Sequence, residues 1–156
     1  MIVVLTKTIH VDEIAKFFKR HNIECKIFTR FNLPEKLPDY DVGISYSWSR
    51  LVPESELKKA MWFNYHPSIL PKYAGGDPYQ QMFENKETRC GNTVHVMTKK
   101  YDAGRIIDQN LYRLNHPPIS RDEIGAIAHY EMFKFFKETI LDVIKIGESV
   151  IVYNGD

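Results

Sequence analysis

A chain of 156 residues has the length of one domain able to bury a proper hydrophobic core. Its 44% hydrophobic and 26% charged residues exclude wholesale disorder. With 21 basic against 20 acidic residues the net charge is +1, which speaks against a general nucleic-acid or anionic-membrane binder, because counterion release needs a concentrated basic face. Cys25 and Cys90 have no metal-ligand spacing and cannot build a disulfide framework, which fits a reducing cytoplasm. The apolar run after Met1 is too short for a signal peptide or a membrane span.

In chain order, Ile2–Leu5 is a continuous apolar run, the pattern of a strand buried on both faces. Val11 to His21 carries Ile14, Phe17 and Phe18 at helical spacing, and Glu24 to Phe28 alternates as a second strand, giving an opening βαβ unit and hence a parallel sheet. The link Thr6-Lys7-Thr8-Ile9-His10 contains no glycine, so a nucleotide cofactor is not expected at this first turn. Thr29 to Asp39 reads as a surface connection through Pro34 and Pro38. Asp41–Tyr46 is a third strand, Pro53 opens a short helix running to about Ala60, and Met61–Tyr65 is a fourth strand. A helix follows from Pro78 to Asn85, with Asp77 at its cap. Gly91–Thr98 and Arg105–Tyr112 lie too close together for a helical crossover and pair as an antiparallel hairpin. Ser120-Arg121-Asp122-Glu123 is a capping box opening a long helix that ends near Gly147, and Ser149–Tyr153 reads as a last short strand. Phe133, Phe135 and Phe136 give that helix more apolar surface than one face buries, which points to a homodimer contact.

The most informative stretch runs from Trp62 to Asp77. Side chains alternate along a strand, so Asn64 and His66 share a face at the last positions before Pro67 turns the chain. Ligands of open α/β sheets bind at the carboxyl ends of strands. An amide and an imidazole there can supply a hydrogen-bond donor and a proton acceptor for chemistry at a carbonyl. Taken alone, the pair fits equally a loop-capping asparagine and a satisfied histidine.

Three ordered segments extend the pattern: Asn64-Tyr65-His66-Pro67-Ser68-Ile69-Leu70-Pro71-Lys72-Tyr73-Ala74-Gly75; Gly91-Asn92-Thr93-Val94-His95-Val96-Met97; and Tyr101-Asp102-Ala103-Gly104-Arg105-Ile106-Ile107-Asp108-Gln109. Together they resemble the formyltransferases that use 10-formyltetrahydrofolate, a family that includes enzymes acting on glycinamide ribonucleotide, methionyl-tRNA and sugar nucleotides. The resemblance implies a Rossmann-like α/β formyltransferase fold, with a mostly parallel sheet, an antiparallel C-terminal hairpin and a long C-terminal helix. It implies a single catalytic domain over residues 1–156, trimmed in its N-terminal half. It assigns catalysis to Asn64 as oxyanion donor, to His66 as the group that manages protons or shares in stabilising the oxyanion according to its charge, and to Asp102 as the group that orients His66 and favours its cation, with no metal required. The pterin of 10-formyltetrahydrofolate would lie against Ser49, Arg50, Leu51, Val52, Tyr101 and Asp102. Lys72, Tyr73, Gly75 and His95 would border the acceptor amine.

The departures narrow the expectation. The first loop lacks the Gly-Ser-Asn type sequence that holds the phosphate of glycinamide ribonucleotide, and neither the added C-terminal domain of the tRNA enzymes nor the regulatory domain of the hydrolases is recognisable. A small acceptor remains, most simply a nucleotide-linked 4-amino sugar, with no nucleic acid or membrane as partner. The alternatives are phosphoribosylglycinamide formyltransferase, a formyltetrahydrofolate hydrolase, and a non-catalytic module that binds folate or a nucleotide sugar.

Overall fold

In a computed structural model that describes residues 1–150, six strands form one sheet. They are β1 (Ile2–Thr6), β2 (Cys25–Phe28), β3 (Val42–Tyr46), β4 (Met61–His66), β5 (Arg89–Val96) and β6 (Ile106–Arg113), in the order β2-β1-β3-β4-β5-β6. The first four run parallel, while β5 is antiparallel to β4 and β6 to β5. β1 and β3 are buried at every position, which explains why their sequences are nearly continuous apolar runs rather than alternating ones.

The helices are α1 (Val11–Arg20), α2 (Glu54–Leu57), α3 (Pro78–Glu84) and α4 (Arg121–Ser149). One sheet face carries the main core, in which Val4, Ile44, Phe63 and Tyr65 meet Phe17 and Phe18 of α1 and Met132, Phe136 and Ile140 of α4. The other face carries a smaller core of Val3, Leu5, Val52 and Trp62, roofed by irregular chain through Tyr40 and Trp48. Gly43 makes room for it: a Cβ there would fall 2.1 Å from the Trp62 indole. The indole N–H donates to the Tyr40 hydroxyl at 3.0 Å, and that hydroxyl donates to Glu56 at 2.6 Å, so the buried tryptophan leaves no orphan donor.

Several expectations shift. α2 spans four residues and stops before Ala60, and β5 begins at Arg89 rather than Gly91. Only half of the capping box forms: Ser120 Oγ accepts the Glu123 N–H at 3.0 Å, but Glu123 Oε1 accepts the Ile119 N–H at 3.2 Å instead of that of Ser120. Ser149 closes α4 instead of opening a strand, and 151–153 of that expected strand lie outside the described residues. Phe135 and Phe136 are 1% and 0% exposed: both rings pack on Tyr65 of the sheet, and Phe136 also meets Phe17 and Phe18 of α1. Two of the three phenylalanines behind the homodimer expectation are therefore core, while Phe133 is half-buried. No helix among the described residues is long and apolar enough to cross a membrane.

His10, just beyond β1, is a buried polar member of this fold, edge-on to Tyr46 and His129 at 5.1 Å each. Its Nδ1 lies 3.1 Å from Glu13 Oε1, while Nε2 is buried without a partner. A proton on Nε2 would be an unsatisfied buried donor, and burial, helped by Lys7, pushes the ring down to about 4. The unfolded chain takes up this proton near pH 6.5. Folded stability is thus fully present above that pH and falls as pH drops from about 6.5 to about 4, by on the order of 3 kcal/mol from this ring. Urea unfolding at pH 7.5 and 4.5 measures the fall, and a His10→Asn variant is expected to flatten it. An unchanged slope in the variant assigns the acid loss to other groups.

Candidate functional site

β4 delivers Asn64 and His66 to the carboxyl edge of the sheet on the face of the smaller core, with Trp62 two residues earlier on that face. In register, Asn64 lies beside Ser45 of β3 and His95 of β5, and His66 beside Thr93. Asp102 arrives on the turn between β5 and β6 with a left-handed backbone, φ 47°. That turn lies hard against β5: a Cβ at Gly104 would fall 1.6 Å from the Val96 carbonyl oxygen, so only glycine fits there.

The side chains converge on one carboxylate. Asp102 Oδ2 accepts the Gly75 N–H at 2.9 Å and lies 3.6 Å from His66 Nδ1. Oδ1 lies 3.3 Å from His95 Nε2 and 3.4 Å from Asn64 Nδ2, which is itself 3.2 Å from His95 Nε2. The far nitrogens face carbonyls: His66 Nε2 is 2.9 Å from Tyr73 O, and His95 Nδ1 is 2.9 Å from Val96 O. A carbonyl can only accept, so each of those nitrogens carries a proton. His66 Nδ1 and His95 Nε2 point at Asp102, and a proton on either meets a negative charge.

Burial pushes the His66 ring below its ordinary value; Asp102 and the Tyr73 carbonyl oppose this without overcoming it. The expected cationic bias from Asp102 is thus outweighed by desolvation, and His66 is neutral near pH 7, as a proton acceptor must be. Burial would raise the Asp102 carboxyl, but His95, His66 and the Gly75 N–H hold it below the usual carboxylate range. Asp102 is therefore the fixed negative charge and His66 the group free to titrate.

A cavity of about 360 Å³ opens on this cluster, lined by Asn64, His66, Gly75, His95 and Asp102. Ser49, Arg50, Leu51 and Tyr101 form part of its wall. Val52 turns away and packs at 4% exposure with Leu5 and Trp62. Lys72 and Tyr73 also leave the cavity, reaching Glu87 at 2.6 and 2.8 Å. Trp48, Met97 and Tyr79 line the wall without having been singled out. Trp48 sits in the same link as Ser49, and a lone aromatic in an irregular segment carries no periodic signal. A second, smaller cavity between α1 and α4, lined by His10, Glu13, His129 and Lys137, has no carboxylate joined to an amide and two imidazoles. Among the described residues no group of three or more His, Cys, Asp or Glu side chains could hold a metal ion.

A family model described as "Formyl transferase" matches residues 16–128. Methionyl-tRNA formyltransferase of Staphylococcus aureus (strain JH1) is 36% identical over 119 residues, covering 72% of this chain and 37% of that protein. The chain thus spans little more than a third of the length of that relative. Among solved structures, the formyltransferase PseJ from Anoxybacillus kamchatkensis, in complex with UDP-4,6-dideoxy-4-formamido-L-AltNAc and tetrahydrofolate, is similar with a TM-score of 0.75 at 22% identity, covering 94% of this chain and 77% of that one. Phosphoribosylglycinamide formyltransferase from Bacillus halodurans is similar with a TM-score of 0.75 at 15% identity, covering 99% of both chains. These two likenesses establish the fold, including the mixed sheet and the long final helix.

Proposed function

The chain belongs to the formyl transferase family, and we propose that it moves a formyl group from 10-formyltetrahydrofolate to a primary amine of a small acceptor, most simply a nucleotide-linked 4-amino sugar. The observation that carries this reading is the convergence of Asn64, His66, His95 and Asp102 on one cavity, with a neutral His66 beside an ionised Asp102. Acyl transfer asks for those parts. The amine nitrogen attacks the formyl carbon, and the carbonyl oxygen becomes an oxyanion in a tetrahedral intermediate. Asn64 Nδ2–H stabilises that oxygen. His66 Nδ1 takes the proton the amine loses, and the imidazolium is balanced by Asp102. The bond from carbon to the folate nitrogen then breaks, and that nitrogen receives the proton, leaving a formamide and tetrahydrofolate.

The wall fits a flat heterocycle: Leu51, Trp48 and Met97 supply apolar surface, and Ser49 and Arg50 supply polar groups at its edge. The acceptor class draws support from PseJ, whose structure holds a formamido sugar nucleotide and whose fold this chain shares. We take residues 1–156 as one catalytic domain. We place the reaction in the cytoplasm, which the free thiols of Cys25 and Cys90 fit.

The test incubates the protein and 10-formyltetrahydrofolate with aminated nucleotide sugars, phosphoribosylglycinamide, methionyl-tRNA or no acceptor, and follows tetrahydrofolate release. Release with an amino sugar nucleotide is the expected result. Release with another amine moves the acceptor assignment, equal release without acceptor makes the protein a hydrolase, and donor binding with no release under any condition makes it a binding module.

A further inference from the structure

The loop from Pro67 to Asp77 supplies the site with two backbone groups, the Tyr73 carbonyl on His66 Nε2 and the Gly75 N–H on Asp102 Oδ2. Both residues sit in the left-handed region, Tyr73 at φ 56° and Gly75 at φ 101°. Glycine adopts this freely, but for tyrosine it is unfavourable by roughly 1 kcal/mol or more and persists only where surrounding contacts impose it. Within the loop the Ser68 hydroxyl donates to the Lys72 carbonyl at 2.6 Å, and further contacts that help impose it come from outside.

Glu87 stands in the turn between α3 and β5, its side chain 13% exposed. Its Oε2 accepts Lys72 Nζ at 2.6 Å and the Tyr73 hydroxyl at 2.8 Å, and its Oε1 accepts the Arg89 N–H at 3.1 Å. Asn85 Nδ2 donates to the same Tyr73 hydroxyl at 3.3 Å, so the phenol is held from two sides. Burial would raise the Glu87 carboxyl, yet Lys72, the Arg89 N–H and Tyr73 bring it to about 2, so it remains an anion throughout the range in which an imidazole titrates.

We propose that Glu87 is a positioning residue for the transfer: by clamping Lys72 and Tyr73 it keeps the Tyr73 carbonyl on His66 Nε2 and thereby selects the histidine tautomer whose Nδ1 is bare. The neutral ring has one proton and two acceptors competing for it, the Tyr73 carbonyl at Nε2 and the Asp102 carboxylate at Nδ1. A carboxylate is the stronger acceptor, and nothing but geometry favours the carbonyl. Released from Glu87, Tyr73 can leave its left-handed conformation, the carbonyl swings off Nε2, and the proton moves to Nδ1 on Asp102. The nitrogen beside Asp102 is then already protonated and cannot accept from the amine. The same clamp accounts for Lys72 and Tyr73, whose side chains it engages away from the cavity.

The kinetic part of this inference rests on the formyl-transfer reading; its structural part does not. In histidine-labelled full-length protein at pH 8, nitrogen and carbon chemical shifts are expected to show His66 as the Nε2–H tautomer, and Glu87→Ala is expected to convert it largely to Nδ1–H. With an accepted amine, kcat of Glu87→Ala falls about 10- to 100-fold, the loss typical of displaced catalytic groups, while the donor KM stays unchanged. Glu87→Gln, which keeps a carbonyl acceptor for Lys72 and Tyr73, restores most of the tautomer. Tyr73→Phe, which removes only the hydroxyl contact, is run beside Glu87→Ala as the milder variant and shifts the tautomer in the same direction. Retention of Nε2–H in both Glu87→Ala and Tyr73→Phe overturns the proposal. So does a rise in acceptor KM with kcat intact, which would put Lys72 and Tyr73 in acceptor binding. Because the tautomer is read without turnover, absence of formyl transfer on every amine overturns the functional reading and leaves the clamp to be decided by the spectra.

Discussion

Asp102→Asn is expected to lower kcat for formyl transfer by roughly 100- to 10,000-fold, the range removed with a proton-transfer partner, while the protein still folds. Asparagine is the gentlest replacement at this position. It tolerates the left-handed backbone that Asp102 adopts at φ 47°, and its side-chain oxygen can still accept the Gly75 N–H that Asp102 holds at 2.9 Å. What it removes is the charge. In the variant, a proton arriving on His66 Nδ1 meets a neutral amide instead of a carboxylate, and the imidazolium is left buried without a counter-ion. The loss should therefore appear in kcat rather than in the donor KM, with thermal unfolding nearly unchanged. Steady-state kinetics and a melting curve on the same preparation check both halves. A loss smaller than about 10-fold would remove Asp102 from the proton path, since removal of a working acid–base partner costs more than that.

How much of this was legible in the chain depends on whether the deciding contacts are local. β1 and β3 announce themselves because strands buried on both faces need no polar alternation, and Asn64 and His66 share a face because the strand period is two. The α4 start is likewise local, with Ser120 three residues from the N–H it accepts. Non-local partners left no such mark. The contact of His95 Nε2 with Asp102 is set by the register of β5 against β4 and by the depth of the Gly104 turn. Leu51 and Val52 look alike in sequence, yet one lines the cavity and the other enters the smaller core, because the link they share has no period to assign faces. Lys72 and Tyr73 sit in the matching motif, but Glu87, well over ten residues on, turns their side chains away. Phe135 and Phe136 read as surplus on a one-faced helix; in the structure both are core, Phe136 meeting Phe17 and Phe18 of α1. Side-chain direction was readable where one strand carried it, and not where a distant side chain decided it.

Asn64→Ala is expected to lower kcat about 100-fold or more, the usual consequence of deleting one oxyanion donor, with little change in the donor KM, because the interaction strengthens only as the carbonyl oxygen gains charge. In the free protein Asn64 Nδ2 lies 3.2 Å from His95 Nε2 and 3.4 Å from Asp102 Oδ1, both long contacts that a developing oxyanion can outcompete. Asn64→Asp separates shape from hydrogen bonding. It preserves the side-chain outline but removes both N–H donors and sets a second carboxylate next to Asp102, where two negative charges oppose each other and one carboxyl titrates higher. At pH 8 this variant should be at least as slow as Asn64→Ala, and lowering the pH should restore part of the difference as the shared site takes up a proton. If Asn64→Ala kept its rate within about 10-fold of the parent, well short of the loss expected for an oxyanion donor, the oxyanion would have to be met by a protonated imidazole, His66 or His95. Its activity would then rise toward acid pH, opposite to the dependence expected when neutral His66 is the proton acceptor. A pH–rate profile of the alanine variant therefore decides which of the two neighbours, the amide or an imidazole, faces the charge.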